Sequence, residues 1–84
     1  MAMTTLYLIY APGVTVDARA IEGSVELMPG LCLIRTEQTR SQLYHAIKRR
    51  LDPEQFLVAP LSDLPKFKGM TAGASKAVRR LGRL

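Results

Sequence analysis

A chain of 84 residues, 48% hydrophobic, with a formal net charge of +5 and a sequence pI of about 9.9, has room for one small basic domain. It excludes a second domain or a large catalytic architecture. Folding at this size buries only roughly 60% of the unfolded surface, and a single cysteine rules out an internal disulfide, so a homodimer is expected.

In chain order, Thr5-Leu-Tyr-Leu-Ile-Tyr10 is an apolar run stopped by Ala11-Pro12-Gly13 and predicts a first strand. Tyr7 and Tyr10 fall on its opposite faces, so at least one belongs to the core. From Val14 to Gly23 a cap residue at Thr15, acid in the first turn and a closing glycine predict a short helix over residues 15–22. Val25–Met28 and Leu31–Thr36 flank Pro29-Gly30, a turn signal in which proline presets φ and glycine accepts a positive one, so they predict a hairpin. Cys32 reads as a small buried hydrophobe within Leu31-Cys-Leu-Ile34.

Thr39-Arg-Ser-Gln42 has the reciprocal hydroxyl and glutamine pattern of a capping box. Leu43, Ile47 and Leu51 then recur at helical spacing, and Asp52-Pro53 ends the helix because proline cannot donate to its ladder. Gln55–Leu61 is the last strand, with Pro60 placing it on an edge. Beyond it, residues 64–84 form a basic C-terminal tail, following a domain over residues 1–63. The tail is expected to be partly helical, with Ala74, Val78 and Leu81 sharing a face and ordered only where something docks on that face.

The positive charge is concentrated. Residues 64–84 hold Lys66, Lys68, Lys76, Arg79, Arg80 and Arg83 without an acid, and a second cluster is Lys48-Arg49-Arg50. Clustered cations point to a polyanion, DNA or RNA, because phosphate neutralisation with counterion release is the main sequence-independent source of nucleic-acid affinity. In Lys66-Phe67-Lys68 the aromatic either stacks on a base while the amines take phosphates, or covers the open end of the core. Tyr44, four residues from both Arg40 and Lys48, has a similar choice between stacking, a dimer contact and ordinary partial burial.

Catalytic chemistry is thinly represented. His45 is the only histidine and sits off the centre of the helix's apolar face, which suits a solvated or interface residue. No spacing of histidines, cysteines or carboxylates fits a metal site or a nucleophile with its base, so neither a catalytic residue nor a metal or other cofactor is assigned. The lone thiol fits a reducing cytoplasmic setting. The N-terminus lacks a positive leader region, and no run reaches the roughly 18 to 20 apolar residues of a membrane span.

Strand, short helix, hairpin, helix and strand make up the β-α-β-β-α-β order of a ferredoxin-like α+β fold, with an antiparallel sheet and a shortened first helix. Gly30-Leu-Cys-Leu-Ile-Arg-Thr-Glu37, Leu43-Tyr-His-Ala-Ile-Lys-Arg-Arg-Leu51 and Asp52-Pro-Glu-Gln-Phe-Leu-Val-Ala-Pro-Leu61 resemble the superfamily of the small CRISPR adaptation protein and VapD-type toxins. Tyr7-Leu-Ile9 likewise resembles its first strand. The resemblance implies the fold and a dimer. It does not carry over the family's nuclease, because the first strand there ends in an Asp and the equivalent position here is about Pro12. The expectation is a non-catalytic dimeric protein that binds nucleic acid through Lys48, Arg49, Arg50 and the tail. The alternative is an interaction or regulatory module, antitoxin-like or phage-derived, whose tail meets an acidic protein. A metal-dependent ribonuclease comes last and needs carboxylates such as Asp17 or Asp63 supplied across a dimer.

Overall fold

The structure, a computed structural model, describes residues 3–14 and 21–81. Its order is β1 (Thr5–Tyr10), β2 (Val25–Met28), β3 (Leu31–Thr36), α1 (Arg40–Leu51), β4 (Leu57–Leu61) and α2 (Ala74–Leu81). The four strands form one open sheet in the order β2-β3-β1-β4, with every neighbouring pair antiparallel. This is an α+β chain with the ferredoxin-like strand order. Of the short helix expected over residues 15–22, residues 15–20 lie outside the described residues, while Ile21 to Ser24 form a turn closed by the Ser24 amide on the Ile21 carbonyl at 3.1 Å. Among the described residues, no helix is long and apolar enough to cross a membrane.

The sheet is buried on both faces, and that explains why β1 and β3 read as continuous apolar runs rather than alternating ones. On one face, Tyr7, Ile9, Cys32 and Ile34 meet Leu43 and Ile47 of α1, and Val14 and Ile21 pack at the margin of the same core. On the other face, Leu6, Leu27 and Leu33 meet Ala74, Val78 and Leu81 of α2. Leu64, Phe67 and Met70, from the segment leading to α2, complete this second core. The C-terminal segment therefore docks on the sheet of its own chain. That face of the sheet is closed within the chain.

Two distant ties hold this second layer in place. Between Glu26 and Met28 the β2–β3 register slips, so Leu27 is a bulge residue whose carbonyl is available to accept outside the ladder. It accepts from both the backbone amide of Thr71 at 2.7 Å and the Thr71 hydroxyl at 3.0 Å. At the other end of α2, Nε of Arg35 donates to the Leu81 carbonyl at 2.6 Å, and Nη1 reaches the Thr4 hydroxyl at 3.4 Å. A guanidinium at a helix C-terminus meets both unpaired carbonyls and the negative end of the helix dipole.

The Pro29-Gly30 turn also anchors the start of the crossover. Proline's ring keeps Pro29 at negative φ and Gly30 sits at φ 83, the pattern of a type II turn, and the adjacent bulge adds the local twist that such a turn lacks. The Ala11 amide donates to the Gly30 carbonyl at 2.7 Å, and a Cβ at Gly30 would stand 2.7 Å from the Ala11 carbonyl oxygen.

Two outcomes follow for stability. Gly30→Ala combines a left-handed backbone with that clash and is expected to lower the unfolding free energy by about 2 kcal/mol or more, measured by urea denaturation. A chain ended at Leu64 leaves Leu6, Leu27 and Leu33 uncovered. It is expected to bind a hydrophobic dye and to lose its sharp thermal transition, whereas a sharp transition without dye binding would show that the second layer is dispensable.

Candidate nucleic-acid interface

The cations singled out by the sequence occupy two surfaces. The first is on α1, whose capping box is formed as its sequence predicts. The Gln42 amide donates to Thr39 Oγ1 at 3.1 Å, and the Thr39 amide donates to Gln42 Oε1 at 2.9 Å. Leu43 and Ile47 turn this helix onto the first core, leaving Lys48, Arg49 and Arg50 exposed in its last turn. There they complement the helix dipole. Asp52 then leaves the helix in a left-handed conformation, φ 45, with its amide on the Lys48 carbonyl at 3.0 Å.

The second surface is the outside of the C-terminal layer. In the approach to α2, Lys66 and Lys68 are exposed while Phe67 between them packs into the second core. Of the two roles open to Phe67 in the sequence, the geometry shows the covering one. Lys76, Arg79 and Arg80 stand on the outer side of α2, opposite Ala74, Val78 and Leu81. Lys66 and Arg79 line one cleft of about 330 Å³ with Phe67 and Val78 at its base, so loop and helix cations border one concavity. Arg83 lies outside the described residues.

Because α1 and α2 cover opposite faces of the sheet, the Lys48–Arg50 cluster and the α2 cluster are not one patch. Asp63, one of the two carboxylates considered for a nuclease, accepts the Leu64 amide at 2.8 Å and lines a cleft with Arg35, Ser62 and Thr4. Asp17 lies outside the described residues. Among the described residues no group of three or more His, Cys, Asp or Glu side chains is placed to hold a metal ion.

Two features were not read from the sequence. Arg35 shares the second face with Leu31 and Leu33, and a charge at a face position is a signal for a helix terminus seated there. Tyr44 stacks on Phe56, with ring centroids 4.7 Å apart and planes 16° from parallel, and meets the His45 ring edge-on at 5.3 Å. The stack depends on the turn at Asp52-Pro53, which returns the chain beside α1.

Cys32 is fully buried, as expected, and its thiol is pushed up to about 12, first by burial and then by the charge of Glu26, its cross-strand neighbour. The folded chain therefore holds this proton after the unfolded chain has released it near its ordinary value of 9.0, so Cys32 weakens folding as pH rises from about 9 towards 12. Iodoacetamide at pH 8.5 is expected to leave the native protein unmodified and to alkylate it fully in denaturant, measured by mass spectrometry. In comparisons with protein-family models, curated proteins and solved structures the chain matches none.

Proposed function

We propose that this chain is a non-catalytic nucleic-acid-binding protein whose C-terminal layer contacts the phosphate backbone. The observation that supports this is the sidedness of that layer. Its apolar residues are committed to the sheet, and Lys66, Lys68, Lys76, Arg79 and Arg80 are exposed on its outer side, with no acid between Leu64 and Leu81. Lys76, Arg79 and Arg80 are neighbours at three- and four-residue spacing, and the ties at Thr71 and Arg35 fix the helix before any ligand arrives. Such a surface attracts phosphates by charge and carries no base-reading geometry, so the binding is expected to depend on salt more than on sequence.

The test keeps the full chain, since shortening it would expose the second core. Fluorescence anisotropy of labelled duplex DNA and single-stranded RNA is measured between about 50 and 200 mM salt, with the native chain and with Lys76→Gln, Arg79→Gln and Arg80→Gln combined. Three lost phosphate contacts should weaken binding and flatten the dependence of log K on log salt by about 2 to 3, with little change in thermal stability. If the native chain binds neither probe at about 50 mM salt, the reading falls, and an acidic protein becomes the partner to seek.

A further inference from the structure

The α1 surface lies on the opposite face of the sheet from the C-terminal layer, and it differs from that layer in kind. Phe56 is anchored against the first core, and Tyr44 lies flat on it. Phe56 occupies one face of the Tyr44 ring and His45 meets the ring edge-on at 5.3 Å, yet the residue keeps 38% of its surface exposed. A large aromatic that is both held rigid and left in water loses little further freedom when a second ring stacks on it.

Along α1 its charged neighbours carry one sign, while Asp52 and Glu54 stand on the turn that leads to Phe56. Arg40 stands four residues before Tyr44 and Lys48 four after, both exposed, each about 6 Å away along the helix axis and on the same side. Along its whole length α1 contains no acidic residue. A fixed aromatic between two cations suits a base with the phosphates on either side of it. A duplex keeps its bases stacked on each other, so the ligand that can use this ring is a single strand.

We propose that Tyr44, backed by Phe56 and flanked by Arg40 and Lys48, is a base-stacking platform for single-stranded nucleic acid. The inference rests on nucleic acid being the partner, but not on the α2 surface being its seat. A duplex is then held by charge on the C-terminal layer, whereas a single strand gains a second foothold on α1.

The chain has no tryptophan, so Tyr44→Trp places a single fluorescent reporter at the platform. With the full-length protein, a short labelled single strand should quench the tryptophan saturably and bind Tyr44→Trp at least as tightly as the native chain. The matching duplex should leave the emission unchanged. Tyr44→Leu, which keeps an apolar side chain over Phe56, should weaken single-strand binding by about 5- to 150-fold and leave duplex binding within twofold. Thermal melting shows that the variants are folded.

Single-strand binding that neither quenches the emission of Tyr44→Trp nor weakens in Tyr44→Leu would overturn the platform and leave the broader reading standing. Binding of neither probe to the native chain would overturn both. Neutralising Lys76, Arg79 and Arg80 should leave the quench in place, which separates the two surfaces.

Discussion

The sheet has two apolar faces, and each must be taken out of water by a different part of the chain. Ile9 and Cys32 on one side and Leu33 on the other are fully buried, so neither face is a solvated outside. In a domain this small, the hydrophobic gain from one covered face is a narrow margin over conformational entropy. The second layer supplies the rest. Burial of side chains such as Val78 and Leu81 contributes roughly 1.5 to 3 kcal/mol each. The basic surface is therefore the outer side of a structural necessity.

Local chemistry made most of the scaffold legible. The runs ending at Ala11-Pro12-Gly13, Pro29-Gly30 and Asp52-Pro53 have strong stops, and Thr39 with Gln42 marks the start of α1 by a reciprocal pair of hydrogen bonds. β1, β2, β3 and α1 begin and end where these signals place them. The last strand starts at Leu57 rather than Gln55, and within the basic tail the helix begins at Ala74 and is described as far as Leu81. Gly73, at φ 82, stands in the turn before that helix and cannot be part of it.

What local patterns could not convey was the side on which distant pieces meet. The stripe of Ala74, Val78 and Leu81 was visible, but nothing in a stripe names its seat. That choice is made by Leu27 with Thr71 and by Arg35 with Leu81, contacts spanning 44 and 46 residues. The candidate cations were legible as clusters for the same reason that their arrangement was not: charge is read along the chain, while a surface is assembled across it. Lys48–Arg50 and Lys76–Arg80 look like one basic tendency in sequence and are parted by the whole thickness of the sheet.

The order of these layers along the chain also orders their appearance during synthesis. Every strand precedes the segment that shields the second face, so Leu6, Leu27 and Leu33 are made before the residues that cover them. The spare carbonyl of Leu27 and the side chain of Arg35 are then already in position to receive α2. A chain with that face still open exposes the three leucines together, and the net positive charge of the segment that closes it opposes contact between such chains.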